Sequence, residues 1–364
     1  VTPDSSHTPR PAAAGRLRTV ALGAVPVVLL GLAVSTPTIP GTDISLAVPY
    51  AAEGPGPTFN TLGEVDGEQV IEITGARTDE TEGNLDMTTV SVRTNMTMAQ
   101  ALGRWLFTED TMVPIDHIFP ADMDPEQIKQ SNEAAFTESE SAATIAAMNH
   151  LDRPTEVVVA RVLDGTAATG VFAEEDTILA VDGVEVQRPT EVAERAQAKK
   201  PGEEITFTVE RDGREQELDL TLGELEQNPG VGAVGILMTS QPGDGVEVDY
   251  NLQDVGGPSA GMMFSLAVID KLSPGPLNGG KFVAGTGTIT PDGAVGPIGG
   301  IVHKVDAAEA QGAELFLAPA ENCAEAVSRD HGDMVVASVA NLDEAIAAMD
   351  TFAAGGEVTT CQPR

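Results

Sequence analysis

The sequence predicts an α/β (α+β) fold with an inserted, mainly β module, preceded by one N-terminal transmembrane helix. Three observations carry that reading. From Phe282 to Met349, short apolar runs of strand length alternate with helical patterns. Between Glu156 and Leu222, strand-like runs are separated by turn signals and interrupted by one helical pattern. Leu17–Val34 is apolar except for Arg18 and Thr19.

At 364 residues the chain is long enough for two or three domains. Its formal net charge of −36 repels phosphate backbones and anionic membrane surfaces, so no nucleic-acid partner is expected. Aromatic residues make up 4% of the chain, so its cores must rest on Val, Ile, Leu, Ala and Met. Neither cysteine, Cys323 or Cys361, has metal-ligand spacing, and no metal or cofactor is expected.

Residues 1–16 read as a disordered tail and 17–35 as a membrane anchor. Eighteen residues of helix span about 27 Å, just enough for a hydrocarbon core. Arg10, Arg16 and Arg18 precede or open the apolar run, and Asp43 and Glu53 follow it. The positive-inside rule then places the N-terminus in the cytoplasm and the bulk of the chain outside. The rival reading is a signal peptide cleaved near Ala33-Val34-Ser35. Pro37–Pro57 is rich in Pro and Gly, which makes 36–57 a linker.

Residues 58–150 are expected to begin the α/β domain. Gln69–Thr74 and Asp86–Arg93 alternate apolar and polar around the turn-rich Thr78–Asn84, which predicts an antiparallel hairpin. Thr97–Phe107 predicts a helix whose apolar stripe is Met98, Ala101, Leu102, Trp105 and Leu106. A second helix starts at Asp124 or Pro125 and runs through Ser139–Leu151.

Residues 151–223 form the inserted module. Strands are expected at Glu156–Val162, Glu204–Arg211 and Glu215–Leu222, with a helix at Thr190–Ala198 and a tight turn at Asp212-Gly213. This order, with Asp176-Thr177-Ile178-Leu179-Ala180-Val181-Asp182-Gly183, resembles a bacterial PDZ domain. The resemblance implies an extended peptide ligand added as a strand. No glycine–hydrophobic loop for a C-terminal carboxylate is found ahead of Val157.

Residues 224–350 return to the α/β domain and hold the densest motifs. Gly256-Gly257-Pro258-Ser259-Ala260-Gly261 precedes the apolar run Met262–Ile269, which reads as a serine at the start of a buried helix. Pro258 suits a first helical turn, glycines permit close approach, and helix-start amides could hold an oxyanion. A serine still needs a base. Among Lys129, Lys199, Lys200, Lys271, Lys281 and Lys304, only Lys304 sits among Ile298, Ile301, Val302 and Val305. Apolar surroundings lower a lysine's pKa and make it a neutral base. Gly275–Lys281 has phosphate-loop spacing, but Phe282 stands where Ser or Thr would hold magnesium, so a turn is expected.

Gly257-Pro258-Ser259-Ala260-Gly261, Thr286-Gly287 and Pro297-Ile298-Gly299-Gly300 ahead of Lys304 resemble the proteolytic domain of Lon proteases. Lys304 follows Ser259 by 45 residues, close to that family's spacing. The resemblance implies Ser259 as nucleophile, Lys304 as base and Thr286 as the residue that helps hold the lysine. Gly256 and Thr288 stand where larger members carry acidic residues. The combination, without an ATPase module, resembles the membrane-anchored PDZ–Lon proteins of Gram-positive bacteria. It implies an ATP-independent, extracytoplasmic serine endopeptidase acting on flexible or unfolded polypeptides, with the oligomeric state left open.

Two other readings stand beside it. One is a PDZ-led scaffold whose Lon-like domain has lost activity. The other is a Ser–His hydrolase, since Gly257-x-Ser259-x-Gly261 also fits a nucleophile elbow, with Asp292 and His303 or His331 as partners. On the oxidising face of a membrane, Cys323 and Cys361 are expected to form a disulfide that ties down the tail 351–364.

Overall fold

The computed structural model describes residues 44–118, 125–225, 228–252 and 255–363, with scattered positions between 24 and 42. The anchor segment 17–35 therefore lies, but for a few positions, outside the described residues. Among the described residues no helix is long and apolar enough to cross a membrane. The chain divides into two compact units, residues 1–55 with 90–123, and residues 56–89 with 124–364.

Strand β1, Tyr50–Asn60, begins inside the expected linker 36–57. The linker reading fails there because Ala51 and Ala52 are fully buried and pair with Val113 and Met112. Strand β2 is Ile71–Thr74 and strand β3 is Asn84–Arg93. Helix α1, Met98–Phe107, is capped by Thr97, whose hydroxyl accepts from the Gln100 amide while the Gln100 side chain accepts from the Thr97 amide. Of its expected apolar stripe only Ala101 is buried, against Ala52 and Met96; Met98, Leu102, Trp105 and Leu106 are exposed. The apolar surface beneath the helix is smaller than the stripe. Strand β4, Thr111–Pro114, completes the first unit.

Helix α2, Pro125–His150, carries no Pro or Gly after its first residue. Then come β5 (Thr155–Val162), β6 (Thr177–Val181), helix α3 (Pro189–Gln197), β7 (Glu204–Arg211) and β8 (Arg214–Thr221). Asp212 and Gly213, both at positive φ, turn β7 into β8. Strand β9 is Ile236–Pro242 and β10 is Glu247–Tyr250. Helix α4 (Gly261–Leu272), β11 (Phe282–Gly285), helix α5 (Ile301–Gln311), β12 (Leu315–Pro319), β13 (Val335–Val339) and helix α6 (Leu342–Ala353) follow.

In the second unit one sheet runs β13-β12-β11-β3-β1. Its central parallel strands β11 and β12 are apolar throughout, as burial on both faces requires; every residue of β12 is buried. The expected hairpin of Gln69–Thr74 with Asp86–Arg93 does not form. Instead β2 pairs with β10, and β3 pairs in parallel with β11. The turn-rich segment between them is anchored elsewhere, by Asp79 to the Lys271 carbonyl and the Gly275 amide.

One apolar core joins both flanks of the inserted module, with Leu62, Phe136 and Met148 from before it and Phe264, Leu266 and Leu315 from after it. Phe136 of α2 meets Phe264 of α4 edge to face at 5.6 Å. The module has its own core, including Val157, Ile178, Val192, Phe207 and Ile236. Its sheet runs β8-β7-β6-β5-β9, so the module boundary of 223 falls short: β9, Ile236–Pro242, belongs to it. The register of β9 on β5 accounts for this, since it buries Ile236 in the module core. The Gly275–Lys281 segment is a turn, with Asn278 fully buried and its side chain bonded to the Asn84 carbonyl and the Gly280 amide.

Candidate active site

Ser259 lies just ahead of α4, not in its first turn. Its carbonyl accepts from the Gly287 amide (2.9 Å) and the Thr286 hydroxyl (3.0 Å), so the first helical bond, from Phe264, goes to the Ala260 carbonyl instead. Pro258 consequently sits outside the helix. The Met262 amide donates to the Gly287 carbonyl, which removes one of the helix-start amides expected to face a ligand. The serine loop is held from α2 as well. Gly257, at φ +85°, donates to the Asn132 carbonyl (3.0 Å), and the Ser139 hydroxyl to the Pro258 carbonyl (3.1 Å).

Lys304 is placed by α5. Gly300 caps that helix in the left-handed conformation at φ +67°, which a side chain would strain. The lysine is 2% exposed, above Ile301 and Val305, which lie in an apolar cluster with Ala284 and Phe316. Its Nζ is 2.7 Å from Ser259 Oγ, 2.9 Å from Thr286 Oγ1 and 3.0 Å from the Thr88 carbonyl. Thr88 is fixed in turn by its hydroxyl bond to the Gly285 carbonyl. Among the described residues Lys304 forms no ion pair, and burial pushes its pKa down to about 7.

The partners decide which way the lysine's lone pair points. The Thr88 carbonyl can only accept. Thr286 already spends its proton on the Ser259 carbonyl, so its oxygen accepts from Lys304 as well. A neutral amine has two protons and one lone pair. With both protons committed, the lone pair faces Ser259 Oγ at 2.7 Å. This geometry suits general-base catalysis.

The sequence reading missed Thr88, which acts through its backbone and leaves no side-chain signal. It also singled out Lys304 as the one lysine in apolar surroundings, whereas Lys271 is only 8% exposed. Of the alternative partners, Asp292 accepts from the Thr290 hydroxyl, and His331 Nδ1 lies 2.9 Å from the Met334 carbonyl. His303 Nδ1 lies 3.9 Å from Asp306. The side-chain nitrogen bonded to Ser259 Oγ is that of Lys304. Cys323 and Cys361 are joined in a disulfide. Among the described residues no group of three or more His, Cys, Asp or Glu is placed to hold a metal ion.

The module offers a recess, about 180 Å³, between α3 and β9. Val192 and Ala196 line one side, and the segment Val231–Met238 the other. The glycine–hydrophobic loop not found ahead of Val157 lies behind the other module strands instead, as Val234-Gly235 between a short strand, Asn228–Ala233, and β9. Strand β9 is the last strand of its sheet, with β5 on one side only.

Comparison with known proteins gives two family matches. Residues 130–222 match the PDZ domain family, and residues 253–349 match the Lon protease (S16) C-terminal proteolytic domain. The chain carries a PDZ domain and a Lon-type proteolytic domain. Over 78 residues it is 36% identical to a probable periplasmic serine endoprotease DegP-like of Ectopseudomonas mendocina, covering 21% of this chain and 16% of that protein. Over 68 residues it is 37% identical to Lon protease 2 of Bacillus subtilis, covering 19% of this chain and 12% of that protein. The matched segments thus span less than a fifth of either relative. A solved PDZ domain of an SdrC-like protein from Listeria monocytogenes is 23% identical over 22% of this chain and 85% of its own, with a TM-score of 0.21.

Proposed function

We infer that this chain is an ATP-independent serine endopeptidase working through a Ser259–Lys304 dyad, with its PDZ domain binding peptide. The observation that carries the reading is the 2.7 Å contact between Lys304 Nζ and Ser259 Oγ, with the amine's other hydrogen bonds committed elsewhere. Neutral Lys304 takes the serine proton as Oγ attacks a peptide carbonyl. Backbone amides of the turn, Ser259 and Ala260, are assigned to the oxyanion. As the C–N bond breaks, the lysine returns its proton to the leaving amine, and an acyl-serine remains. Water then attacks this ester with Lys304 again as base, which releases the acid and restores the serine.

Thr286 and Thr88 are positioning residues that orient the amine. The substrates in this reading are flexible or unfolded polypeptides, since the Gly275–Lys281 turn offers no nucleotide site to drive unfolding. An extracytoplasmic, membrane-anchored location is part of the proposal. It is supported by the apolar segment 17–35 with its arginines and by the disulfide, a bond that persists in oxidising compartments. The test is labelling with a fluorophosphonate and mapping the adduct. An adduct on Ser259, absent in Ser259→Ala, is expected; an unlabelled Ser259 in folded protein leaves the scaffold reading standing.

A further inference from the structure

The recess beside β9 is separate from a larger cavity that reaches Pro258, next to Ser259. Strand β9 joins them. Its first residues, with the Val234-Gly235 loop ahead of them, border the small recess. Its later residues, Met238, Thr239 and Ser240, border a cavity of about 850 Å³ whose far wall includes Pro258, next to Ser259. Met238 lines both. The N-terminal end of α3 follows the same course, with Val192 at the recess and Thr190 at the cavity.

We propose that these are one track, and that a polypeptide held by its free carboxyl end at the Val234-Gly235 loop presents to Ser259 a bond at a set distance upstream of that end. The inference rests on the peptidase reading above and adds direction and length to it. A short loop at a strand's start offers backbone amides to a carboxylate. The open edge of β9 offers main-chain hydrogen bonds to an added strand. With its carboxyl end at the start of β9, the ligand runs antiparallel to it, and its earlier residues leave past Ser240 into the cavity. At ~3.3 Å per residue, Ile236–Ser240 accommodates about five ligand residues before the chain enters the cavity, so the cut falls upstream of those five.

The small recess, walled by Val192, Ala196 and Ile236, suits an apolar terminal side chain. The cavity is lined by Glu138, Glu194 and Asp292, and its arginine, Arg188, is already paired with Glu191. Basic residues between the end and the cut are therefore favoured. Direction also fixes the order of products. The tail leaves as the amine and stays on the module, while the N-terminal part forms the acyl-serine.

The test uses the full chain and a flexible, lysine-containing 20-residue peptide ending in valine with a free carboxylate. In Ser259→Ala protein, a benzophenone is stepped along this peptide and the crosslinks are mapped. Positions near the end should label β9 and α3. Positions upstream of about the last five residues should label the segment 257–259 or 288–292. Amidating the terminal carboxylate should weaken binding about tenfold or more through loss of charge-assisted hydrogen bonds. With wild-type protein, lengthening the peptide at its C-terminus should move the cut by the same number of residues. Crosslinks indifferent to amidation, or a cut that stays at one sequence as the tail grows, overturn the track. A stepped crosslink pattern without any cleavage by wild type keeps the track and sinks the peptidase reading instead.

Discussion

Two lysines are buried in this protein, and they are buried differently. Lys271, near the end of α4, donates to the Gln69 side chain at 3.0 Å. Burial lowers its pKa, but the neighbouring Asp270 pulls it back up. Lys304, on α5, has the Ser259 and Thr286 hydroxyls and the Thr88 carbonyl for partners, and burial takes its pKa to about 7 with no carboxylate opposing it. Burial alone does not make a base; the company does. An acid beside a buried lysine stabilises the ammonium, whereas neutral hydrogen-bond partners leave the amine free to stay neutral.

The sharpest way to break the comparison is to make Lys304 permanently charged. Lys304→Arg should lower peptidase activity by about 10³-fold or more while the protein stays folded, because a guanidinium does not deprotonate. Far-UV circular dichroism alongside peptide turnover checks both halves. Retained turnover in that variant together with its loss in His303→Ala would favour the Ser–His alternative.

A smaller effect is expected from the group that orients the amine. Thr286→Val keeps the shape but removes the acceptor for Lys304 and the donor to the Ser259 carbonyl, so kcat should fall roughly 10–100-fold. Thr286→Ser should restore most of it. Equal activity in the two variants would mean that the hydroxyl does not hold the lysine.

Stability measurements extend the comparison to pH. A lysine whose folded pKa lies below its unfolded value takes up protons on unfolding, so stability rises with pH between the two values. Both lysines are lowered, so unfolding free energy should increase from about pH 7 towards 10.5. Lys304→Met should flatten that slope more than Lys271→Met does, since Asp270 offsets part of the shift at Lys271. Denaturant titrations across that range decide it. Lys271→Met should leave kcat within about twofold.

The disulfide probes the apolar cluster beneath Lys304, which includes Cys361, Ile301 and Val305. Replacing both cysteines by serine should cost about 2–4 kcal/mol of stability. The activity of the folded fraction at 25 °C should change little.

Much of the candidate site was legible in the sequence, because its side chains sit in short glycine-bounded blocks: Ser259, Thr286 and Lys304 are brought together by turns that those blocks encode. Thr88 was not legible, since it contributes a main-chain carbonyl from a strand adjacent only in space. Lys271 follows the apolar run Met262–Ile269, whose pattern specifies a buried helix but not that the lysine at its end is buried with it. Strand pairing was the weakest part. The 69–93 hairpin looked local, yet both of its strands find partners more than a hundred residues away, at Glu247–Tyr250 and Phe282–Gly285. Strand β9 was assigned to the wrong domain for the same reason. A strand's own residues specify that it pairs, and much less which strand it pairs with.

The central claim is that Lys304 is a neutral base at working pH. The rate of fluorophosphonate attachment to Ser259 against pH tests it without any need for a known substrate. Glu140, which burial pushes up to about 7, is the confounding group, so Glu140→Gln is measured in parallel. The account predicts a single ionisation with a midpoint near 7, kept in Glu140→Gln and lost in Lys304→Arg. A rate that rises only near 10.5, the ordinary lysine value, or a profile unchanged in Lys304→Arg, would contradict it.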